Sequence, residues 1–143
     1  MITEADAQEL MDAVRAGQTD WVNGTFNPLF DVSEGTIFPP MGGGAIGGPG
    51  LSDLSAAMAA RFHDGRAEVE FAQTIVAGDV VCLVAVERNV VCFDDQTEPR
   101  RWDLRATMIF RRDGDKWTML HRHADPCLQH RGLEDTLALM DGS

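Results

Sequence analysis

The sequence predicts an α+β fold in which N-terminal helices pack on a strongly curved antiparallel sheet. Three observations carry that prediction. Up to about residue 62, apolar residues recur at helical spacing. From Ala67 onward the period changes to two. The two-period runs then follow one another through short turns, the pattern of an antiparallel meander.

Each element has its own signal. Thr3 with Asp6 forms a capping-box pattern, and Ala5, Leu10, Met11 and Val14 follow at helical spacing. A first helix is expected over about residues 3–16, with Gly17 after its last turn. Thr19 or Asp20 can cap a second helix carrying Trp21, Val22 and Phe26 and ending near Pro28. Gly35-Thr36-Ile37-Phe38 reads as a short strand stopped by Pro39-Pro40. The glycine-rich run Met41–Gly50 is a connector or a lid over a pocket. It is not a phosphate loop, because no Gly-Lys-Ser/Thr follows it. Ser52 or Asp53 then caps a third helix, in which Leu54, Ala57, Met58, Arg61 and Phe62 form one stripe before Gly65.

In the second half, Ala67, Val69, Phe71, Gln73 and Ile75 alternate with charged residues. Ala77-Gly78-Asp79 turns the chain into Val80–Val86, which is apolar on both faces and therefore predicts a strand covered on both sides. Asp94–Pro99 is a turn. Two runs, Trp102–Phe110 and Lys116–Ala124, flank Arg112-Asp113-Gly114-Asp115 and predict a β-hairpin. Leu133–Met140 reads as a short helix. Three helices cover only one face of the sheet, so a second copy of the chain is expected on the other, as a homodimer formed by sheet-to-sheet contact.

Composition narrows the function classes. The 143 residues carry a net charge of −11. Such a surface repels phosphate backbones, so no nucleic-acid partner is expected. A single domain over residues 1–143 is expected, with its core at about 3–125 and a tail at 126–143. The acidic start Met1–Asp6 lacks the apolar core of a signal peptide, and no run is apolar enough for a membrane span, so a cytoplasmic protein is expected. Cys82 and Cys92, ten residues apart on one expected strand, would lie about 33 Å apart and cannot bridge. With Cys127 they are read as small buried apolar residues.

The candidate site residues come mainly from the hairpin. His121 and His123 share one strand face. With Asp113-Gly114 as a two-residue turn, Phe110 opposes Trp117, Met108 opposes Met119 and small Ala106 opposes His121. The imidazoles then sit on the apolar, helix-covered face and are candidates for acid–base catalysis or ligand contact. A three-residue turn slips the register by one and puts them beside Arg105 and Thr107 instead. We prefer the first register because it collects the apolar residues on one face. Asp103 is a further catalytic candidate and in the second register pairs with Arg105 inside the pocket. Trp21, Phe26, Phe30, Phe38 and Trp102 are expected to wall the pocket, with Arg105, His121 and His123 as polar contacts. His-x-His could offer two metal ligands with Asp103 or Asp125 as a third, but no other Cys/His spacing supports it, and neither metal nor cofactor is expected.

The order of elements resembles the NTF2-like superfamily, and within it the SnoaL-like and ketosteroid-isomerase-like group. The stretch Phe110–Asp125 carries the likeness most strongly and resembles the closing hairpin of the calmodulin-kinase association domain. The runner-up is a cystatin-like helix-on-sheet domain. The resemblance implies a cone with a pocket at its wide end, serving isomerases, dehydratases, polyketide cyclases or no catalysis at all. Where isomerases of the group carry a catalytic aspartate, this chain has Pro39, and it has no tyrosine to stabilise an oxyanion. The expectation is a small-molecule-binding protein with a mostly apolar pocket for a small or ring-shaped ligand. An acid–base enzyme using His121 or His123, and a non-catalytic dimeric assembly module, are the alternatives.

Overall fold

The computed structural model describes residues 1–142 and has the α+β architecture expected. In order, the elements are α1 (Glu4–Trp21), β1 (Thr36–Phe38), β2 (Ile46–Gly47), α2 (Pro49–Ala59), β3 (Phe62–Ala77), β4 (Val80–Phe93), β5 (Arg100–Arg101), β6 (Leu104–Asp113), β7 (Lys116–Asp125) and α3 (Leu133–Asp141). The sheet runs β2-β1-β7-β6-β4-β3, with β5 paired to β4. Its four long strands are antiparallel, but β1 lies parallel to β7, so the sheet is mixed rather than wholly antiparallel.

The helical half differs from its sequence reading at three places. Thr3 and Asp6 do form the capping box. The first helix, however, runs through Gly17 to Trp21, and no separate second helix follows. Tertiary contacts override the weak local stop. Gln18 is buried and donates to Asn89 Oδ1 at 3.3 Å. Asn23, just past the helix, donates to the Gly65 carbonyl at 3.0 Å and accepts from the Gly65 amide at 2.9 Å. The second helix of the structure starts at Pro49, before the expected Ser52 or Asp53 cap, because proline suits a first helical turn. It ends at Ala59, so Arg61 and Phe62 are not helical. Gly65 is no helix stop. It lies within β3, pressed so closely on Val22 that an added Cβ would fall 2.1 Å from the Val22 carbonyl oxygen.

The inner face of the sheet gathers the core. Val81, Leu83 and Ala85 of β4, Leu104, Ala106, Met108 and Phe110 of β6, and Trp117, Met119 and Ala124 of β7 are all buried against Leu10 and Val14 of α1 and Leu51 of α2. At about 25 cal/mol per Å² of apolar area, each fully buried large side chain contributes roughly 1.5–3 kcal/mol, so this layer holds the helices on the sheet. Trp21, Phe62, Phe93 and Trp102 form a second aromatic cluster.

The hairpin of β6 and β7 corrects the expected register. Asp113 pairs with Lys116, so the two-residue turn is Gly114-Asp115, with Gly114 at φ +64. Phe110 opposes Met119 and Arg112 opposes Trp117. Then the pairing shifts by one residue between Ile109 and Phe110, leaving Leu120 as a bulge. Beyond it Ile109 opposes His121, Met108 opposes Arg122, Thr107 opposes His123 and Ala106 opposes Ala124. The two registers weighed from the sequence are both realised in their facing, one on each side of the bulge. The bulge sits where the neighbour of β7 on its free edge changes from Asp31 to β1.

Candidate functional site

The curled sheet and the two helices surround a half-open cavity of about 130 Å³. Its walls come from α1 (Val14, Gln18, Trp21), the connecting segment (Phe26, Phe30, Val32), β1 with the prolines after it (Phe38, Pro39, Pro40), α2 (Leu54, Met58) and the inner sheet face (Leu104, Met108, Met119). The Trp21 indole N–H donates to the Ser55 carbonyl at 3.0 Å, which joins the two helical walls. Pro40, Met41, Trp102 and Leu104 also border a second recess, together with Arg101, Asp103 and Pro126.

Among the described residues, Arg122 is the one charged residue lining the cavity, and its partner is Glu87. The guanidinium donates from Nη1 to Glu87 Oε2 at 2.8 Å and from Nη2 to Oε1 at 2.7 Å. Glu87 is fully buried, and the Arg122 side chain keeps 21% exposure. Burial by itself lowers the Arg122 pKa. The charge of Glu87 and the paired hydrogen bonds outweigh it and hold the pKa above the usual arginine value. The cavity wall thus carries a neutral, bidentate ion pair, with part of the Arg122 side chain accessible. Next to it, the buried Asn89 donates from Nδ2 to the Trp102 carbonyl at 2.8 Å and accepts from Gln18.

The site residues expected from the sequence divide into two groups. Trp21, Phe26, Phe30 and Trp102 border the cavity, and Phe38 borders it too, although it is 41% exposed and its ring meets the imidazoles on the outer face. His121, His123 and Arg105 do not, and the expectation that the imidazoles share the helix-covered face is corrected by the Leu120 bulge. It turns them to the outer face of the sheet with Ile109 and Thr107. There His121 Nδ1 is 2.8 Å from Thr36 Oγ1, and the Phe38 ring meets both imidazoles edge-on at 5.6 Å. The pairing of Asp103 with Arg105 that the second register allowed does not form. Asp103 accepts from the Asn89 amide at 3.2 Å and from Arg101 at 2.6 Å, beside the outer recess. Arg105 grips Asp125 through bonds of 2.8 and 2.9 Å, and this hydrogen bonding holds the Asp125 carboxyl below the usual carboxylate range.

Arg122 and Glu87 escaped the sequence reading. A signal for Glu87 existed, because it shares strand parity with Val81, Leu83 and Ala85, all inner-face residues. Arg122 had none, since its inward direction depends on the bulge.

Among solved structures, a nuclear transport factor 2-like superfamily protein from Salmonella enterica matches with a TM-score of 0.66 at 17% identity, over 88% of this chain and 94% of that one. A proposed calcium/calmodulin-dependent protein kinase type II association domain from Thiobacillus denitrificans matches with a TM-score of 0.57 at 23% identity, over 89% and 96%. A proposed dehydratase of the NTF2-like family from Streptomyces avermitilis matches with a TM-score of 0.58 at 21% identity, over 66% and 67%. These likenesses show the fold. No curated protein matches the chain. The family model of the SnoaL-like domain matches residues 52–127, which run from α2 through the end of β7 and make up more than half of the sequence. By that match the chain belongs to the SnoaL-like domain family.

Proposed function

We propose that this is a small-molecule-binding protein whose cone holds a compact, mostly apolar ligand about one ring in size, with a neutral hydrogen-bond acceptor directed at Arg122. The observation that carries the reading is the hollow itself, about 130 Å³ with a single charged lining residue among the described residues. An apolar cavity of about 150 Å³ accommodates one benzene ring. The aromatic and thioether walls supply dispersion contacts, and the guanidinium supplies orientation. Glu87 already neutralises Arg122, so a carbonyl or hydroxyl fits this wall better than a second carboxylate. Acid–base chemistry by His121 or His123 has no support from the cavity, because both rings lie on the other face of the sheet.

The same reading pairs two copies through the outer sheet face. Cys82, Val84, Val86 and Ile109 form a partly exposed apolar strip there, flanked by Ile75 at 43% exposure. Titration calorimetry with a panel of monocyclic ketones and alcohols tests the ligand claim, with Ala124→Leu as the blocking variant. Ala124 is buried and lines the cavity, so the larger side chain grows into the hollow. Saturable one-to-one binding of a panel member, weakened at least tenfold by Ala124→Leu in a folded protein, is the expected result. No binding by any member, or binding that Ala124→Leu leaves unchanged, contradicts the reading.

A further inference from the structure

A second cluster of chemically capable side chains lies at the start of β3 and the end of β4, and no cavity residue belongs to it. His63 and Cys92 are directly paired across the two strands, next to the inward Phe62–Phe93 pair. Successive strand residues alternate in direction, so His63 and Cys92 face away from the aromatic cluster. The next residue, Asp64, has φ +51, a left-handed conformation that few non-glycine residues adopt. It lies in the stretch where the β3–β4 register shifts, between His63 and Arg66. Its carboxylate is thereby swung back to His63, with Asp64 Oδ2 2.7 Å from His63 Nδ1. One nitrogen, one carboxylate oxygen and one sulfur from these residues lie within 4.8 Å of one another. Cys92 is 5% exposed, and its thiol contacts the Thr97 carbonyl at 3.6 Å.

We propose that His63, Asp64 and Cys92 form a divalent-metal site for a borderline-soft ion such as zinc. The donor set is one that zinc takes, with metal–ligand bonds of about 2.0–2.3 Å. Tetrahedral bonds of that length place donor atoms roughly 3.5 Å apart, so closing the site needs movements of about 1 Å. The buried sulfur favours a thiophilic ion over magnesium or calcium. Three protein donors leave a fourth position for water or an exogenous ligand. On binding, the thiol releases its proton to solvent and the sulfur coordinates as thiolate, while His63 coordinates as the neutral ring through the nitrogen that carries no hydrogen, any second imidazole proton also passing to solvent. The sequence hid this site because its ligands are separated by a whole hairpin, and no short Cys/His spacing announces it.

Titration of the reduced, chelator-treated full-length protein with cobalt(II) tests the proposal, because a thiolate ligand gives cobalt a charge-transfer absorption that nitrogen and oxygen ligands do not. One equivalent is expected to saturate that band. Cys92→Ser abolishes it, and Cys127→Ser leaves it intact. His63→Gln and the backbone-compatible Asp64→Asn alter partly exposed side chains, so they test the site without disturbing the core. Each is expected to weaken cobalt binding by about tenfold or more. Zinc should raise the melting temperature of the wild type and not that of His63→Gln. Absence of the charge-transfer band, its persistence in Cys92→Ser, or affinities in both His63→Gln and Asp64→Asn equal to wild type would overturn the proposal.

Discussion

Replacing Arg122 with methionine removes the guanidinium but keeps much of its length. What it leaves behind is Glu87, which has no exposed surface and which loses its bonds of 2.8 and 2.7 Å. Removing one partner of a buried ion pair costs about 3–5 kcal/mol, mainly because the remaining charge is buried without compensation. A domain of this size has a total stability of about 5–15 kcal/mol, so the loss is a substantial fraction of it. With a urea slope of about 2 kcal/mol per molar, the unfolding midpoint should fall by roughly 2 M. Glu87→Leu combined with Arg122→Met replaces both charges with apolar groups and should recover at least half of that loss. Equilibrium urea unfolding, followed by tryptophan fluorescence and circular dichroism together, measures both variants. A single-variant loss under about 1 kcal/mol, or a double variant no more stable than the single, would refute the argument that this pair is desolvated and mutually dependent.

Other outcomes follow from particular contacts. Gly65→Ala should cost about 3 kcal/mol, because its Cβ would fall 2.1 Å from backbone that cannot move aside. A loss below about 1 kcal/mol in thermal unfolding would contradict that packing. Asp125 has a folded pKa below the ordinary value of 3.8, owing to its hydrogen bonds from Arg105. The unfolded chain therefore binds the proton more readily. The stabilisation from this residue is complete above the ordinary value and disappears as pH falls through the lowered one. Asp125→Asn should thus be less stable than wild type at pH 7 and converge with it in acid, and a gap that widens on acidification would contradict this sign. His121→Ala and His123→Ala should leave ligand affinity within about twofold of wild type, since neither ring lines the cavity. A tenfold loss in calorimetry would place an imidazole back in the site.

The strand half of the fold was legible because its signals are local. Period-two alternation and the turn residues place β6 and β7 to within a few residues, whereas β3 begins five residues before Ala67 and β4 runs seven residues past Val86. The helix ends were less legible. The stop at Gly17 is outvoted by Gln18 and Asn23, whose partners lie far along the chain at Asn89 and Gly65. Likewise the aromatic wall of the cavity could be read from residue type, whereas its polar centre could not. A single extra residue, Leu120, exchanges the faces of everything after it on β7. It sends His121 and His123 outward and brings Arg122 to the inner face. No residue in that stretch marks the bulge by its type. It arises where Asp31 and then Thr36 pair along the other edge of the strand, which is a tertiary event. A reading from parity alone fails at such a point, and it fails for every later residue on the strand at once.

A crystal structure of the protein with a monocyclic ketone or alcohol from the binding panel decides whether the hollow is the binding site. Ligand density is expected within the curled sheet, in contact with the ring of Trp21 or Phe30, with its oxygen within hydrogen-bond reach of Arg122 and both imidazoles on the outer face. A hollow filled by the protein's own side chains, or a ligand seated against His121 and His123, would contradict this reading.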